Sequence, residues 1–197
     1  MTTQTHLLTR GDLWSLEDYS VKRPDYRRQV MQHKQHRKVH LGPNATLYFE
    51  DRLTIQYQIQ EMLRIEKVFE AAGIEEELEA YNPLIPDGSN WKATFMIEFP
   101  DPEYRAEQLA RMIGIEDLVW VQVEGHDRVW SISNEDLERS TEEKTSSVHF
   151  MRFELNAEMI ASLKAGAALS MGVEHKAYSH QVELGEETRD SLTNDLD

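Results

Sequence analysis

The chain has no cysteine. That removes disulfides, thiolate zinc sites, cysteine-ligated iron–sulfur clusters and cysteine nucleophiles, and leaves any metal to His, carboxylate or carbonyl ligands. No apolar run approaches the roughly 18 residues of a membrane span. Met1–Arg10 lacks the apolar core of a signal peptide, so the expectation is a cytoplasmic protein with no membrane attachment. No GxGxxG or GxxxxGK[ST] phosphate loop, GxSxG elbow, HExxH pair or EF-hand loop occurs. Positive charge is scarce: 21 Lys and Arg stand against 36 Asp and Glu, for a net charge of −15. Such a balance argues against nucleic-acid partners and anionic membrane surfaces.

What is present fits one soluble domain. At 197 residues with 40% hydrophobic content the chain is long enough for a real core. Residues 1–10 read as frayed. Thr9 with Asp12 resembles a capping box and opens a short helix over 10–18. Pro24 suits the first turn of a second helix, 24–37. His40–Asn44 is a turn between hairpin strands 38–41 and 45–50. A long helix spans 51–72 and ends at Gly73, with a short acidic helix over 74–80. Tyr81–Gly88 is a stiff loop. Alternating apolar residues mark strands over 91–99, 118–124, 128–133, 147–155, 168–174 and 180–184. Helices at 102–113, behind Asp101-Pro102, and at 157–165, capped by Asn156, separate some of them. Residues 134–145 form an acidic loop, and a short acidic helix closes the chain. The order predicts an α+β fold: a mixed, mostly antiparallel sheet with helices packed on one face.

The long helix places a carboxylate within each of two apolar stripes. Ile55, Ile59, Met62, Leu63 and Phe69 surround Glu66; Tyr57, Ile65, Val68 and Ala72 surround Glu61. Gln56, Gln60, Arg64 and Lys67 mark the wet face. An unpaired buried carboxylate is costly, so each needs a partner. The two lie about 140° apart around the axis, so at most one belongs to any single site. Metal ligation or acid–base work competes with a structural ion pair at each.

Histidines form the second constellation. His149 shares strand phase with Met151 and Phe153, and His175 with Met171 and Val173, while His180 and Tyr178 lie in the turn beyond. Imidazoles with a carboxylate suit iron, manganese or zinc. A third feature is a surplus of six positive charges over Lys22–Lys38, which leaves −21 on the rest of the chain. Arg27, Arg28, Lys34 and Arg37 there either dock an acidic partner or neutralise the chain's own acidic surface. His33 and His36 sit among those cations, which disfavours a metal there.

Three strings carry a family resemblance: Gln58–Arg64 followed by Glu66, Tyr81–Pro86, and Gly172–His180. Leu8–Tyr19 and Leu41–Asn44 extend it over nearly the whole chain. The chain resembles the uncharacterised bacterial family named domain of unknown function 3501. The resemblance implies no catalytic residues. It implies a context beside rubrerythrin-like diiron proteins and iron–sulfur oxidoreductases, and thus iron-linked redox or peroxide defence.

The leading expectation is therefore a cytosolic accessory protein of an iron-dependent redox system. It would bind a metal or redox ligand through Glu66, His149, His175 and His180, with Glu61 and Tyr178 behind them. The alternative is an interaction module docking an acidic partner through segment 22–38. An enzyme using Glu66 as general base is a third reading, and a homo-oligomer stays open.

Overall fold

The computed structural model describes residues 7–197, so the first six residues of the expected frayed segment lie outside the described residues. The rest of that segment is ordered. Leu8 is buried, and its N–H and C=O both bond the Asn82 side chain at 2.9 Å. Two compact units divide the chain: residues up to His36 with Glu50–Asp87, and Arg37–Phe49 with Gly88–Asp197.

The first unit is helical. Thr9 and Asp12 do form a capping box, but over a single 3-10 turn, Arg10–Asp12. Helix α1, Leu16–Gln35, begins where the Ser15 hydroxyl accepts from the Asp18 N–H, and it runs through Pro24 instead of starting there. Tyr19, Tyr26 and Val30 form one buried stripe spanning the proline, which itself points to solvent. Burial of that stripe outweighs the lost backbone bond. Helix α2, Arg52–Glu66, is capped by Asp51 and Thr54 reciprocally. It stops at Lys67, which takes the left-handed conformation (φ 56°). Helix α3, Ala71–Tyr81, then includes Gly73. Gly73 serves close packing, not termination: a Cβ there would lie 2.6 Å from Val68 Cγ1. The long helix read over 51–72 is thus two helices.

The second unit holds the strands: β1 Lys38–His40, β2 Ala45–Glu50, β3 Asn90–Ile97, β4 Val119–Val123, β5 Val129–Trp130, β6 Ile132–Ser133, β7 Val148–Glu154, β8 Leu169–His175 and β9 Tyr178–Glu183. Its helices are α4 Pro102–Arg111, α5 Ala157–Lys164 and α6 Glu186–Thr193. Asp101 and Asn156 cap α4 and α5 as their sequence contexts predict. The fold is α+β, and the described residues form two sheets in place of one. They run in the orders β1-β2-β3-β7-β6 and β5-β4-β8-β9. The chain changes sheet at Ser131, between β5 and β6. One continuous core joins Trp91, Phe95, Met151 and Phe153 of the first sheet to Val121, Met171 and Val173 of the second, with Leu109, Leu163 and Leu192 from the helices. Among the described residues no helix is long and apolar enough to cross a membrane.

Candidate functional site

The expected metal ligands are not gathered. Glu66 is exposed on the last turn of α2, because the helix ends there and its apolar neighbours Ile65 and Phe69 are also in solvent, Phe69 at 75%. Its charge repels another carboxylate, Glu77, whose pKa is raised by burial first and by Glu66 second. His149 and His175 do point inward, as their phase predicts, but both rings are committed within the fold. His175 Nε2–H donates to the Ile113 carbonyl (3.2 Å), and its Nδ1 accepts from the Ala177 N–H (3.1 Å). His180 is exposed, its ring tilted at 58° to the Tyr178 ring 4.6 Å away and lying against Gly42. Among the described residues no three His, Asp or Glu side chains are placed to hold a metal ion. The four-ligand centre is therefore corrected: its carboxylate faces water, and two of its imidazoles spend both nitrogens on protein groups.

The supporting pair has structural partners. Glu61 receives Arg23 through two bonds, at 2.7 and 2.9 Å, together with the Tyr19 hydroxyl at 2.7 Å and Arg64. Arg23 first, then Tyr19 and Arg64, overcome the burial cost and hold the carboxyl down at about 2. Burial and the Glu61 bond push the Tyr19 hydroxyl far up. Tyr178 closes the β1–β2 turn: its hydroxyl donates to the Leu41 carbonyl and accepts from the Asn44 and Ala45 N–H groups.

The basic segment is largely engaged internally. Arg23 binds Glu61, Arg28 pairs with Asp25, and Lys22 and Lys34 sit about 6 Å over the Trp14 and Tyr57 rings. Arg37, expected to meet a partner, is 2% exposed and forked onto Asp195. That buried pair rules it out as a docking residue, whereas Arg27 remains exposed on α1.

A polar network missed by the sequence reading surrounds His149. Its Nε2 faces the Ser146 carbonyl at 3.0 Å, which only accepts, so Nε2 carries the proton and Nδ1 accepts from the Asn134 amide. Thr145 links Nε2 to Glu116 (3.0 and 3.1 Å), and Ser140 also donates to Glu116. Burial keeps the imidazole neutral by lowering its pKa, against the pull of Glu116 and Asp117. Thr145 and His149 are sealed from solvent. The network pins the acidic 134–145 loop.

An open site lies on the outer face of the four-stranded sheet. Along β4, Val119, Val121 and Val123 enter the core, while Trp120 takes the opposite phase. Trp120 is nevertheless 2% exposed. Its indole lies flat across Gly172 on the neighbouring strand β8, where a Cβ would sit 2.4 Å from Cζ2 and 2.6 Å from Cε2. The Arg128 guanidinium covers the ring at 4.0 Å and bonds Glu174 at 2.5 Å. Beside the indole is a cavity of about 190 Å³ lined by Trp120, Val173, Glu174, Ser179, His180 and Gln181. Trp120 Nε1, bonded to Cε2, is buried with no hydrogen-bond partner. Two signals in the sequence marked the place: a tryptophan on the outward phase of a strand, and a glycine inside another.

No curated protein matches this chain. A crystal structure of a novel protein of unknown function from Burkholderia pseudomallei K96243 superposes with a TM-score of 0.91 at 49% identity, covering 96% of this chain and 99% of that one. A family model described as protein of unknown function (DUF3501) matches residues 7–196. That match spans both compact units, and the chain belongs to this family of proteins of unknown function.

Proposed function

We propose that the protein is a binding module whose recognition surface is the outer face of the β5-β4-β8-β9 sheet at Trp120. One observation carries this: the Trp120 side chain lines a cavity, and its indole N–H is buried with no acceptor. An unmet buried donor costs roughly 1–3 kcal/mol. Here its cover is a partly exposed Arg128–Glu174 pair, and such pairs contribute at most about 1 kcal/mol. An incoming acceptor thus restores the missing bond at little cost in displaced structure. Most of the basic segment is bound within its own unit.

The iron-linked redox setting enters this proposal through the family resemblance alone. A rubrerythrin-like or iron–sulfur oxidoreductase partner is the first to bring to the assay. The test is a polar fragment screen read by ¹H–¹⁵N spectra of the indole groups, with the Trp120 signal assigned by Trp120→Phe. Hits should move the Trp120 signal and the Gln181 side-chain amide. They should spare the Trp91 indole, which already donates to the Leu192 carbonyl. Hits confined to other surfaces, or none at all, would overturn the reading.

A further inference from the structure

Resting on that reading, we propose that the ligand taken at Trp120 is a small monocarboxylate, received by the indole N–H and the Arg128 guanidinium together. An indole nitrogen only donates, so its complement is an acceptor. Arg128 carries five N–H groups; its Nη1 bonds Oε1 of Glu174, a residue of the cavity lining, and its guanidinium lies 4.0 Å over the Trp120 ring. Ser179 and Gln181 add a hydroxyl and an amide that can donate. Glu174 is the one carboxylate of the lining, and Arg128 already balances it.

Donors therefore outnumber acceptors facing the space. A group with two oxygens and one negative charge answers the indole and the guanidinium at once. A doubly charged phosphate would set twice that negative charge beside Glu174. Size agrees. A cavity of about 190 Å³ has room for a carboxylate of a few carbons.

The experiment titrates acetate, propionate, inorganic phosphate and trimethylammonium, each at constant ionic strength, against wild type and Arg128→Gln. The Trp120 indole and Gln181 amide signals are the readout, and an unmoved Trp91 indole signal certifies that the variant is folded. The two carboxylates should shift the Trp120 signal saturably in wild type. In Arg128→Gln they should bind about tenfold more weakly, as expected when a charged hydrogen bond is lost. Equal titration of both proteins overturns the role of Arg128. A response to phosphate or trimethylammonium without one to the carboxylates overturns the ligand class, while fragment hits at Trp120 leave the binding surface standing. Silence from every probe also overturns the carboxylate.

Discussion

Gly172 sits inside β8, where a glycine forgoes side-chain packing and costs backbone entropy. Its reason is the indole resting on it. A methyl at that position would meet Cζ2 at 2.4 Å and the His180 carbonyl at 2.9 Å. Gly172→Ala should therefore destabilise the sheet unit by about 1–3 kcal/mol, the usual cost of overpacking. Its midpoint should fall by roughly 2–4 °C per kcal/mol in thermal denaturation, with the Trp120 indole signal displaced. An unchanged midpoint would mean that the ring has room to move. Other single residues were legible only halfway. The requirement that Glu61 have a partner followed from its azimuth on the helix, but Arg23 is 38 residues away and no local pattern names it. Gln60 was read as wet and is fully buried, its amide holding the Trp14 backbone at both ends. Periodicity fixes which residues share a face; it does not say which face a neighbouring segment will cover.

Among elements, the strands and the starts of α4 and α5 are the most readable, because period-two alternation and the caps Asp101 and Asn156 act over a few residues. Helix ends were less so. Pro24 and Gly73 look like punctuation in the sequence, yet both lie inside helices. At Pro24 the tertiary stripe of Tyr19, Tyr26 and Val30 overrides the local signal, so the cost of the proline is present and unrelieved. Pro24→Ala restores an N–H for the Ser20 carbonyl on an exposed turn of α1. It should stabilise the helical unit by roughly 1–2 kcal/mol, since a proline inside a helix costs ~3 kcal/mol and its loss returns up to about 1 kcal/mol of freedom to the unfolded chain. Chemical denaturation followed by circular dichroism checks it. A destabilised variant would mean that the ring packs usefully where it stands.

At the scale of the molecule, the α+β composition was legible and the division into two sheets was not. Ser131 carries no mark of a strand leaving one sheet for another: its hydroxyl bonds the Glu116 carbonyl, a contact set by the tertiary fold. The two compact units should also respond differently to acid, through Glu61 in one and His149 in the other. In the helical unit, Glu61 titrates near 2 when folded and near 4.5 as an ordinary carboxyl. Its contribution is whole above 4.5 and disappears as pH falls toward 2, because the unfolded chain takes up the proton first. The span corresponds to on the order of 2–3 kcal/mol after allowing for partial exposure. In the sheet unit, burial lowers the pKa of His149 below 6.5, with Glu116 and Asp117 opposing and Arg139 adding to the shift. Below 6.5 the unfolded imidazole therefore binds a proton that the folded one refuses, and stability begins to decline there. Denaturation curves from pH 8 to 2 should show the decline near 6.5 vanish in His149→Gln. The stability gap between wild type and Glu61→Gln should close only between about 4.5 and 2. A gap for Glu61→Gln that stays constant down to pH 2 would mean that the Arg23 fork does not hold that carboxyl ionised.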